Sequence, residues 1–178
     1  MRVRRPHLFA AFTGAAAAPL AAPAVANAAE LAVSVEIPRL NVAEYHRPYV
    51  SFWIEGPDQA AVKTLAVWYD VKLKNNEGTT WLKDMRTWWR KAGRTMSFPA
   101  DGVSGPTKAP GRHQVVFGAA QMRGVAPGQY TLAVEAAREV GGREVVRVPF
   151  TWPAKGAAKP ASASGSSELG AVTVTAKP

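Results

Sequence analysis

Short strand-like segments, with turn signals every ten or so residues, constrain this chain more than any other feature. Residues 31–37 alternate apolar and polar side chains and stop at Pro38, as an edge strand does. Residues 49–55 close on Gly56-Pro57-Asp58, and residues 62–71 run into the polar stretch 72–78. Residues 114–117, 129–135 and 145–152 supply three more candidates, and residues 171–175 alternate cleanly. About seven to nine short strands at this spacing predict an antiparallel sandwich rather than a βαβ fold.

Pro127-Gly128-Gln129-Tyr130 places a tyrosine at the head of a strand after a turn, similar to the tyrosine corner of immunoglobulin-like sandwiches. The predicted class is therefore all-β, an immunoglobulin-like antiparallel β-sandwich with one short inserted helix. That helix is read over residues 81–91, where Trp81, Met85 and Trp88 recur at helical spacing and Gly93 follows as a stop. It either packs its tryptophans on the sandwich or offers a basic aromatic face to a membrane surface or planar ligand. Residues 153–167 are rich in Ala, Gly, Ser, Lys and Pro and read as a loop or linker. The predicted organisation is a sandwich domain over 29–152, that loop, and a C-terminal strand segment over 168–178 returning to the sheet.

The first 28 residues set the compartment. Arg2, Arg4 and Arg5 precede a small, apolar stretch that ends in Ala26-Asn27-Ala28, the pattern of a secretory signal cleaved before Ala29. A membrane anchor is the competing reading, and Thr13, Gly14, Pro19 and Pro23 interrupt the run it would need. Sec and Tat export both stay open. Loss of the three arginines lowers the formal charge from +9 to +6. A basic chain ordinarily points to nucleic acid, but an exported periplasmic protein meets none. Its anionic partners are then a phosphorylated cofactor, an acidic protein or polymer, or a lipid surface contacted peripherally.

The absence of cysteine excludes disulfides, thiolate metal sites and cysteine nucleophiles. His46 and His113 stand 67 positions apart without metal-ligand spacing, and no G-x-S-x-G elbow occurs. No catalytic constellation is visible, so a hydrolase is the least favoured reading and no metal is expected. Glu135, Arg138, Glu139, Arg143 and Glu144 surround a Gly141-Gly142 turn. They predict cross-strand ion pairs, or an anion held by Arg138 or Arg143.

Asp101-Gly102-Val103-Ser104-Gly105-Pro106-Thr107 is an open loop with hydroxyls at Ser104 and Thr107 and with Lys108 and Arg112 just beyond. Glycines permit close backbone approach of a phosphate, and the cations favour it. A plain turn explains the same residues. The loop also resembles the acceptor motif of substrates of FAD:protein FMN transferase, Asp-Gly-x-Ser/Thr-Gly-Ala-Thr. The resemblance implies covalent FMN on Thr107, with Asp101, Gly102, Ser104 and Gly105 as the recognition frame. Pro106 departs from the motif's alanine and removes an N–H. Trp88, Trp89, Arg90 and Lys108 are nominated as the aromatic and cationic surroundings of such a flavin.

Several blocks resemble an uncharacterised periplasmic family, domain of unknown function 2271. They include residues 47–55, Trp81-Leu82, Thr87-Trp88-Trp89-Arg90, Ser104-Gly105, Ala109-Pro110-Gly111, residues 135–139 and Glu168-Leu169-Gly170. The resemblance implies an exported β-sandwich accompanying PepSY-type membrane reductases and the FMN transferase. It further implies flavin-linked electron transfer serving iron reduction or uptake. The alternative expectation is a non-enzymatic immunoglobulin-like module that binds an envelope protein or anionic polymer.

Overall fold

In the computed structural model, residues 29–156 and 159–178 are described; the signal segment expected over 1–28, with cleavage before Ala29, lies outside them. Among the described residues, nine strands form two sheets. The first has the order β5(Gly111–Phe117), β1(Glu30–Ile37), β9(Ala171–Lys177), β8(Ala161–Ser164). The second has the order β4(Ser104–Pro106), β3(Ala61–Tyr69), β2(Tyr49–Glu55), β6(Gly128–Ala137), β7(Arg143–Trp152). All pairings are antiparallel except β3 with β4. The chain is a β-sandwich. Tyr130 Oη donates to the Ala126 carbonyl at 2.8 Å, the hydrogen bond of a tyrosine corner.

Alternation explains the packing. Val33, Val35, Val50, Phe52, Ile54, Leu132, Val134, Val148, Val172 and Val174 meet between the sheets in the main core. Every residue of β2 is buried, because the opposite face of its sheet is covered too. Tyr49, Trp53, Val67, Tyr69, Ala133 and Ala137 lie under Leu82, Met85 and Trp88 in a second core. The molecule therefore has a third layer on one sheet.

That layer differs from the single helix expected over residues 81–91. A 3-10 segment, Lys74–Asp84, broken by a kink at Asn75 and Asn76 where φ is positive, is followed by the short helix α1, Arg86–Lys91. Leu82, Met85 and Trp88 are the buried residues, and their i, i+3 spacing matches three residues per turn. Met85 N–H bonds the Leu82 carbonyl at 3.2 Å, whereas Trp89 N–H bonds Met85 four residues back at 2.8 Å. Trp81, expected on the apolar stripe, is 49% exposed. Gly93 has to be glycine: a Cβ there would sit 2.7 Å from Trp88 Cζ3 and 2.8 Å from Trp89 Cε3.

The stretch 153–167, read as loop, contains β8, whose Ala-Ser-Ala-Ser side chains alternate without bulk. β9 lies between β1 and β8. Of the predicted charge pairs, Arg143 reaches Glu135 at 2.7 Å across the β6–β7 hairpin. Arg138 and Glu144 choose other partners. Arg138 Nε and Nη2 hold Glu168 at 2.9 and 3.1 Å, and Glu144 accepts backbone donors from residues 166–169.

Candidate functional site

The Asp101–Thr107 loop folds tightly against the edge of the five-stranded sheet. Val103 and Ser104 N–H both donate to the Ala100 carbonyl, at 3.1 and 2.9 Å. Ser104 Oγ accepts from Ala100 N–H at 2.9 Å and lies 3.4 Å from Tyr69 Oη. Asp101 and Gly102 are left at the exposed tip, where Gly102 has φ +69° and requires glycine.

Beyond the turn, Ser104, Gly105 and Pro106 pair in parallel with Val67, Trp68 and Tyr69. Thr107 N–H continues the ladder to the Tyr69 carbonyl at 3.2 Å. Pro106 fits because β4 is an edge strand: amides 105 and 107 turn inward, and the one missing at 106 would have faced water. Gly105 is held close, since a Cβ would stand 3.1 Å from Trp68 Cδ1.

These bonds display the Thr107 hydroxyl, half-buried, at the end of β4. Its Oγ1 donates to Asp70 Oδ1 at 3.2 Å. Lys108 Nζ sits 5.5 Å from the centre of the Trp68 ring, and His113 stands edge-on to the same ring at 5.9 Å. His113 Nε2–H donates to the Ala109 carbonyl at 2.8 Å. Sequence reasoning missed Asp70, Trp68 and Tyr69 as neighbours of Thr107. The parallel register that brings them there has no local signature.

The tryptophan layer connects to this loop through shared packing. Trp88 and Tyr69 both meet Phe98 edge-on, at 5.8 and 5.9 Å, and Val103 packs on the same cluster. Trp88 is fully buried and its Nε1 donates to Thr64 Oγ1 at 3.0 Å. Its ring faces protein, so it steadies the loop from beneath. Trp89 is half-buried, and Arg90 is exposed with Nε on the Arg86 carbonyl at 3.2 Å.

Two buried carboxylates fix that layer. Glu135 accepts Thr87 and Trp88 N–H at 3.1 and 2.7 Å, capping the donors that the start of α1 leaves free. Glu55 accepts Lys91 at 2.7 Å, Arg147 at 2.9 Å and Trp53 Nε1 at 3.0 Å. Burial works against its charge, and the Arg147, Lys91 and Trp53 donors overcome that and hold the carboxyl below its usual range. Tyr49, beneath the layer, is pushed by burial up to about 12. Among the described residues no three His, Asp or Glu side chains gather as metal ligands, and no helix is long and apolar enough to cross a membrane.

A family described as "Predicted periplasmic protein (DUF2271)" matches residues 30–171. The chain belongs to the DUF2271 family. No curated protein and no solved structure matches it. The family match spans β1 to β8 and stops at the first residue of β9. It takes in the Thr107 loop, the tryptophan layer and the buried carboxylates alike.

Proposed function

We propose that this DUF2271 protein is a non-enzymatic accessory of flavin-linked electron transfer outside the cytoplasm. It carries FMN on Thr107 or docks to a flavinylated PepSY-type membrane reductase, in service of iron reduction or uptake. The supporting observation is the display of the Thr107 hydroxyl at the end of a strand fixed to β3 by backbone bonds. In the modification, Thr107 Oγ1 attacks the FMN phosphorus of FAD under the FMN transferase. The oxygen–phosphorus bond forms as the pyrophosphate bond to AMP breaks, and the hydroxyl proton is released.

The residues fit the phosphate end of such a group. Thr107 is reachable, Lys108 supplies charge beside it, and Asp101 and Ser104 shape the turn that the transferase reads. Asp70 accepts the Thr107 hydroxyl at 3.2 Å, and a phosphate ester on that oxygen would remove the bond's proton and set two anions side by side. Bound flavin would supply one- and two-electron redox chemistry. Trp88 contributes packing only, which leaves Trp89 and Arg90 as the candidates for the outer wall.

Co-expression with a periplasmic FMN transferase tests the reading. Intact mass and visible absorbance should report one FMN, lost in Thr107→Ala. A colourless, unmodified product removes the carrier form, and an adduct that persists in Thr107→Ala removes the assignment to Thr107. The docking form is checked by pull-down against the membrane reductase, where absence of capture rejects it.

The alternative of an envelope-binding module has its own support. Residues 71–95 hold seven Lys or Arg against two acids. Lys72, Lys74, Lys83, Arg86, Arg90 and Arg94 are exposed there, and none forms an ion pair among the described residues. Such a face attracts anionic polymer or lipid headgroups.

A further inference from the structure

The Gly141-Gly142 turn and the 3-10 segment Lys74–Asp84 enclose a cavity of about 390 Å³, lined by Arg47, Tyr49, Trp81, Arg86 and Arg143 among others. This volume falls within the range of small-molecule sites. We propose that the cavity binds a small planar aromatic anion, its single carboxylate or phosphate gripped by guanidinium groups and its ring laid against Trp81.

The arginines differ in how they are held. Arg143 spends Nη1 on Glu135 at 2.7 Å and the Thr87 hydroxyl at 3.1 Å, yet stays 38% exposed. It is therefore pre-oriented with donors to spare. Glu135 also neutralises the start of α1 through two backbone N–H groups, so its charge is shared and does not fully cancel Arg143. Arg47 and Arg86 are exposed and form no ion pair among the described residues. Arg138 belongs to the wall itself, only 6% exposed and locked to Glu168.

Two carboxylates on the same wall, Asp84 and Glu139, set the limit on the ligand. Glu139 is drawn toward His46 Nδ1 at 3.4 Å, leaving Asp84 to repel a second negative group. The site therefore selects one anionic head and rejects polyanions. Trp81, 49% exposed on the rim, is the one large aromatic side chain of the third layer that the protein leaves open. Its face suits a planar ring.

Calorimetric titration of the mature chain, made without any FMN transferase, tests this independently of Thr107. Phenyl phosphate and benzoate are the probes for the two head groups, with inorganic phosphate and phenol as the half-ligands. One or both aromatic anions should bind about tenfold tighter than either half-ligand, the gain expected when a charge-assisted hydrogen bond and a stacked ring act together. Arg47→Ala and Arg86→Ala should each weaken that binding about tenfold. Trp81→Ala should erase the advantage over inorganic phosphate, and Arg112→Ala on the opposite sheet should change nothing. The proposal is overturned if neither aromatic anion binds at millimolar concentration, if a half-ligand binds as tightly, or if binding ignores all three cavity substitutions.

Discussion

Glu144 offers the sharpest test of how the two sheets are tied together. It sits on β7 and its carboxylate accepts four bonds from the turn before β9. These come from Ser166 N–H at 2.6 Å, Ser166 Oγ at 3.1 Å, Ser167 N–H at 3.1 Å and Leu169 N–H at 2.9 Å. Burial works against the charge, but the amides of Ser166, Leu169 and Ser167 prevail and draw the carboxyl from 4.5 to about 2. At neutral pH that difference corresponds to at most about 3 kcal/mol, and water reaching the turn reduces it to roughly 1.5 kcal/mol. The sign follows from linkage. A depressed carboxyl stabilises the fold above its unfolded value and loses that contribution as pH falls through the folded one. Urea unfolding of the parent and Glu144→Gln should therefore differ by roughly 1.5 kcal/mol near pH 7, a gap that closes as pH drops from about 5 toward 2. A gap of constant size across that window would refute the reasoning, since it would trace the loss to shape rather than to the ionised carboxylate.

Two further outcomes follow from the third layer. Glu135→Ala should cost about 1–3 kcal/mol, because it leaves two amides of α1 without their acceptor; urea unfolding gives the loss, and hydrogen exchange at Thr87 and Trp88 should quicken selectively. Trp88→Ala should cost about 3–5 kcal/mol as a buried large-to-small change, while Trp81→Ala should stay within about 0.5 kcal/mol. Equal thermal shifts for the two tryptophans would contradict their placement in core and rim.

The sandwich was readable because period-2 alternation survives wherever one face of a strand is wet, as in β1 and β9. It failed where a strand is too short or its side chains too small to register. β8 is built from Ala and Ser, too small to register as a buried face, and β4 is three residues long and owes its existence to a distant partner. The inserted helix read over residues 81–91 is present, but with 3-10 geometry up to Asp84 and with a different buried face. Spacings of three and four both fit so short a run, and only packing against Tyr69 and Trp53 selects Leu82, Met85 and Trp88 over Trp81. Charge partners were the least legible. Arg138 finds Glu168 thirty positions away, and Thr107 finds Asp70 thirty-seven positions away. Those distances close only after strand order is set.

The blocks that carry the family resemblance can now be sorted by what they do. Thr87-Trp88-Trp89-Arg90 and the 135–139 block meet where Glu135 caps α1. The second block reaches Glu168-Leu169-Gly170 through Arg138, and Gly170 N–H continues to the Glu36 carbonyl at 2.8 Å. Gly105 is explained by the Trp68 ring that its missing side chain admits. Each of these residues has a structural task that would keep it in place whatever the protein binds, so none of them argues for chemistry. Thr107 is different. Its amide serves the sheet, but its hydroxyl holds only an exposed carboxylate by a bond that water would replace at little cost. Asp101, at the exposed tip of the same turn, is similarly unspent. The backbone of this loop is firmly fixed, while one hydroxyl and one carboxylate stay outside the packing. For that reason the modification reading rests on Thr107 and not on the more conspicuous tryptophans.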